Sequence, residues 1–96
     1  MNTIRLNEIM GRENDLTVSG SILYDEMKSR IAAGEKIVVD MQDASSLPSI
    51  FLNVSFGRII DEYGAGVISN FVSFVKITRT QAERLQKYIQ KYQAHS

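Results

Sequence analysis

The chain has 96 residues, 44% of them hydrophobic and 23% charged, which suits a single globular domain with one modest core and excludes disordered or fibrous classes. Eleven Lys and Arg balance eleven Asp and Glu, so no global field draws the protein to nucleic acid or to an anionic membrane. Cysteine is absent, which removes disulfides, thiolate nucleophiles and cysteine-held metals and leaves stability to packing.

Asn2, Arg5, Asn7 and Glu8 interrupt the first apolar residues, so no signal peptide is expected there. No stretch approaches the roughly 20 apolar residues of a membrane helix, and a cytoplasmic location is the expectation. Ile4 and Leu6 alternate with Arg5 and Asn7, the period-two pattern of a half-buried strand. Turn chemistry follows at Gly11 and Asn14-Asp15, and Leu16 to Val18 is read as a short returning strand, making residues 1–18 an N-terminal strand or hairpin. From Ser19 the period changes. Ile22, Leu23, Met27 and Ile31 share a helical face, with Ser19 or Ser21 as the cap and Gly34 as the stop.

Lys36 to Met41 reads KIVVDM, a β-branched run apolar on both sides, as in a central strand of a sheet covered by helices. A polar loop leads to Pro48, which is tolerated in a first helical turn. The second helix is predicted to run on to about Tyr63, with Leu52, Phe56, Ile59, Ile60 and Tyr63 as its core stripe and Gly64 and Gly66 as its end. Val67 to Ile77 contains FVSFVKI and is read as the next strand. Thr78 and Gln81 have capping-box spacing. Ala82, Leu85, Tyr88, Ile89 and Tyr92 then form the apolar face of a terminal helix, and residues 93–96 a frayed tail. Strands alternating with helices give βαβ units. The expected fold is α/β, a small mixed or parallel sheet of three to four strands with three helices, in one domain spanning 1–96.

Catalytic chemistry finds little support in these residues. The single histidine, His95, lies one residue from the end, where a ring is read as solvated and not as held in a pocket. No spacing of His, Asp or Glu suggests a metal site, and no cofactor is expected. Gly64-Ala65-Gly66 follows a helix and precedes a strand, the reverse of a phosphate-cradling loop. Asp40 and Asp43 are conceivable as an acid/base pair, but loop amides are the simpler partners for both. The protein is therefore expected not to be an enzyme.

Two surfaces remain. Ile50, Val54 and partly Phe51 point away from the core stripe of the second helix at about 100° per residue. They form either a buried first turn or a patch for a partner or a second copy of the chain. On the last helix Arg84, Lys87 and Lys91 share a face, with Arg79 near its start. That face is either solvated or, as the alternative function, a contact for nucleic acid in an accessory protein.

The segment from KIVVDM through LPSIFLNVSFGRIIDEYG resembles the STAS-like domain family of unknown function, found in small bacterial and phage-borne proteins. A strand ending in Asp, a loop, a Ser-Phe-Leu-Asn type helix start and a later Phe-Gly are matched by Asp40, Ser49, Phe51, Leu52, Asn53, Phe56 and Gly57, with Ile50 interrupting the Ser-Phe pair. The resemblance covers Ser19 to about Ile89. It implies the STAS-like βαβαβα fold of anti-sigma factor antagonists and recognition through the second helix and the loop before it. It also implies phosphorylation of a serine at that helix start by a histidine-kinase-like ATPase. The corresponding serine here is Ser49, although the relatives carry Asp-Ser-Ser-Gly where this chain has Pro48, Ser49, Ile50 and Phe51. The expectation is a non-catalytic regulatory module. It would bind such an ATPase or an anti-sigma-like regulator through Ser45, Ser46, Ile50, Phe51 and Val54, with a homodimer as the alternative and without a membrane.

Overall fold

The run Ile37–Asp40 is the strand around which the chain is organised, with Ile37 and Val39 fully buried. A computed structural model describes residues 3–12, 15–44, 47–64 and 66–94. In it β1 (Thr3–Arg5) and β3 (Val72–Val75) pair in parallel with β2 (Ile37–Asp40), giving a three-stranded sheet in the order β1-β2-β3. The fold is α/β and its sheet is parallel throughout. No helix among the described residues is long and apolar enough to cross a membrane.

The register explains how the sheet divides its two faces. Ile4 pairs with Val39 and Val39 with Phe74, while Thr3, Val38 and Ser73 form the adjacent row. Side chains alternate along a strand, so Ile4, Ile37, Val39, Val72 and Phe74 share the core face, where Phe74 meets the Phe56 ring at 5.8 Å. Arg5, Val38, Asp40 and Val75 lie on the other face, half-buried or exposed. Among the described residues, therefore, the buried strand positions lie on one face, and the expectation that KIVVDM is covered on both sides is corrected. The apolar residue Val38 is accommodated at the centre of the open face, where neighbouring strands shield it.

The helices are more numerous than the periodicity predicts. After β1 the chain enters α1 (Leu6–Arg12), because Leu6, Ile9 and Met10 recur at helical spacing and Leu6 and Ile9 are buried. The expected strand at Leu16–Val18 is instead the first turn of α2 (Leu16–Ala32). Asp15 caps it by accepting a bond from the Thr17 amide at 2.8 Å, and one satisfied orphan amide is enough to start a helix there. Ser19, read as a cap, is thus inside α2 and fully buried. The helix stops at Gly34 (φ 74), where Gly34 N–H bonds to Ile31 O and Glu35 N–H reaches back to Arg30 O, a glycine-permitted Schellman ending.

The second predicted helix is two helices, α3 (Ser49–Val54) and α4 (Phe56–Tyr63), separated at Ser55. The Ser55 hydroxyl is buried and donates to Phe51 O at 2.7 Å. The break changes the helical phase, so Phe51 and Leu52 both reach the core while Tyr63 ends 41% exposed and outside the predicted stripe. Residues predicted to begin the third strand form a short α5 (Val67–Phe71), with Val67 and Ile68 buried, and strand geometry starts at Val72. Finally α6 (Arg79–Ala94) opens with the predicted capping box. Thr78 N–H donates to Gln81 Oε1 at 3.0 Å, and Gln81 N–H donates to Thr78 Oγ1 at 3.1 Å.

Candidate functional site

The first turn of α3 is presented from beneath by α2. Gly20 lies so close to α3 that a Cβ built on it would sit 2.2 Å from Val54 Cγ2 and 2.9 Å from Phe51 O. The absence of a side chain at Gly20 is what lets the two backbones approach. Val54 is accordingly half-buried against α2 and Phe51 is wholly buried. Phe51 is thus not a surface residue, because the α3–α4 break turns it into the core; this corrects its reading as a partner contact. Ile50 is 52% exposed, more than any other large hydrophobic residue among the described residues. Ser45 and Ser46, also read as contacts, lie outside the described residues, as does His95.

From the other side the site is held by α6. Arg84 Nε donates to Leu47 O at 3.1 Å and Arg84 Nη2 donates to Ser49 Oγ at 2.9 Å. Gln81 Nε2 donates to Ala44 O at 3.2 Å while its Oε1 serves the capping box. Two α6 side chains therefore hold Ala44, Leu47 and Ser49. An apolar slot of about 380 Å³ lies between them, lined by Leu47, Pro48, Thr80, Gln81 and Arg84. Arg84 was read with the basic face of the last helix; the geometry turns its guanidinium onto the α3 start. The other residues of that face differ from it. Arg79 is fully in solvent and pairs with Glu83 at 3.4 Å, whereas Lys87 and Lys91 are exposed.

Further along, two tyrosines seat α6 on α3 and α4. Tyr88 donates to Asn53 Oδ1 at 2.7 Å, Tyr92 donates to Asp61 Oδ2 at 2.7 Å, and their rings stack at 5.6 Å. Burial pushes the Tyr88 phenol up, and the bond from Tyr92 to the Asp61 carboxylate, reinforced by burial and charge, pushes Tyr92 up to about 12. Gly57 permits this seam, since a Cβ there would lie 2.7 Å from Tyr88 Oη. On the far side of α4, the Tyr24 hydroxyl bonds to the Glu62 carboxylate and Arg58 stacks on the Tyr24 ring at 3.9 Å. The Tyr24 bond, followed by the Lys28 charge, holds Glu62 below the ordinary carboxylate value.

Asp40 and Asp43 come together elsewhere, in a polar cleft of about 240 Å³ at the carboxyl ends of the strands, with Arg5, Gln42 and Lys76. Asp40 Oδ1 accepts from the Gln42 amide at 2.9 Å and Lys76 Nζ donates to Gln42 Oε1 at 2.9 Å. One carboxylate is thus occupied with a loop amide, the simpler of the two roles read from the sequence.

Sequence reasoning missed Gln81, Gly20 and the direction of Arg84. The capping-box motif drew attention to Gln81 only for its own helix. Among comparisons with known proteins, the family model described as a STAS-like domain of unknown function matches residues 19–83. No curated protein and no solved structure matches the chain.

Proposed function

The chain belongs to the family of STAS-like domains of unknown function, and from that premise we propose that it is a non-catalytic regulatory module that binds a partner protein through the start of α3. The observation that carries the reading is Ile50, 52% exposed on the first turn of a helix whose start Arg84 holds through Leu47 O and Ser49 Oγ. An exposed aliphatic on an ordered helical turn is a binding anchor that loses little entropy on association. The resemblance to anti-sigma factor antagonists makes a histidine-kinase-like ATPase or an anti-sigma-like regulator the first partner to test.

Phosphorylation of Ser49 is part of the same proposal. Its hydroxyl already accepts a hydrogen bond from the Arg84 guanidinium, so a phosphate there would turn a bond between a cation and a neutral hydroxyl into an ion pair and add negative charge beside the slot. The alternative use of the basic face for nucleic acid is the weaker reading, since Arg84 is spent on Leu47 and Ser49.

The test is recovery of a partner from the native host with wild type and Ile50→Asp. Ile50 is solvent-facing, so the substitution is expected to change stability by no more than about 0.5 kcal/mol and to abolish recovery of the partner identified with wild type. Equal recovery of that partner by the folded variant overturns the proposal.

A further inference from the structure

On α6, Thr80, Arg84, Lys87 and Lys91 follow one another at four, three and four residues, which at about 100° per residue keeps them on one narrow stripe. The first two line the apolar slot beside α3. The stripe then continues away from the slot through Lys87 and Lys91, both exposed and neither paired with a carboxylate among the described residues. An apolar recess thus opens directly onto unpaired positive charge, and Ile50 stands exposed on the α3 side.

We infer that the slot and the Lys87–Lys91 stripe together form the seat of an acidic segment of the partner protein, an apolar side chain entering between Leu47, Pro48 and Thr80 while carboxylates lie along the two lysines. This inference rests on the proposed binding through the start of α3 and names the chemistry of what binds. Charge complementarity selects the occupant. A nucleic acid matches the lysines but has no use for a recess lined by Leu47 and Pro48, and a second copy of this chain, neutral overall, brings no excess of acid. The arrangement also divides the labour, as apolar burial supplies affinity and the lysines supply on-rate and orientation.

Binding is read by fluorescence anisotropy with labelled polyglutamate peptides that each carry one Leu, Phe or Met. The expected result is saturable binding by the wild-type chain, weakened about tenfold when the apolar residue is replaced by Ser. Binding should fall by a similar factor in Thr80→Trp, which fills the slot, and in Lys87→Glu/Lys91→Glu, which reverses the charge. All three positions touched are at the surface, and circular dichroism confirms folding. The inference is overturned if no peptide binds, if Thr80→Trp binds as wild type does, or if single-stranded DNA competes as strongly as the best peptide. Its failure is separable from that of the proposed function: Lys87→Glu/Lys91→Glu recovering the native partner while Ile50→Asp does not would retain the α3 surface and reject the acidic segment.

Discussion

Arg84 shows how a single side chain can belong to two patterns at once. By helical spacing it sits with Lys87 and Lys91, and only the fold reveals that its donors are directed to Leu47 O and Ser49 Oγ. Nothing within a window of helical length can report a bond to a segment more than thirty residues earlier. The Thr78–Gln81 box was legible because both partners lie in one turn. Tyr92 offers a test at the same scale. Its phenol is held up to about 12 against an ordinary 10.0, first by its bond to Asp61. The folded chain keeps this proton more tightly than the unfolded one, so the contribution is complete below pH 10 and is lost as the pH rises toward 12. Ultraviolet titration of the tyrosines should show one ionising near that upper value, and Asp61→Asn should return it toward the ordinary one; an unchanged titration in the variant would refute the bond.

Helix α3 owes its position to α2 and α6, which pack against and bond to it, as well as to its own sequence. The pattern from Pro48 to Tyr63 is compatible with a single helix, and the break at Ser55 depends on a buried hydroxyl that finds Phe51 O. A serine in a helical pattern gives no sign of whether its hydroxyl will be buried, so both the break and the inward turn of Phe51 were illegible. Gly20 is the corresponding feature in α2. On propensity alone, Gly20→Ala in a helix interior gains about 1 kcal/mol. The approach of Val54 and the Phe51 carbonyl decides otherwise, because the carbonyl belongs to the backbone and cannot rotate away. Denaturant unfolding should find Gly20→Ala destabilised by about 1–3 kcal/mol. Val54→Ala should restore only part of the loss, since it relieves the side-chain clash and leaves the carbonyl. A more stable Gly20→Ala would show that the helices are not packed this closely.

The central place of β2 was legible because KIVVDM is short, β-branched and followed by a polar loop. Which face of the sheet the helices would cover was not, since Val38 is apolar yet sits on the open side. Because β2 alone is paired along both edges, its amides should exchange with solvent only through global unfolding, more slowly than those of β1 or β3. Exchange from β2 as rapid as from the outer strands would contradict the central placement. The register carries a kinetic consequence as well. Thr3 meets Val38 and Ile37 meets Val72, so each ladder closes a long crossover of the same length and none can begin from a hairpin. Neither closure is compensated until its helices have docked, and the nascent chain must therefore bring its first strand back to a partner synthesised much later.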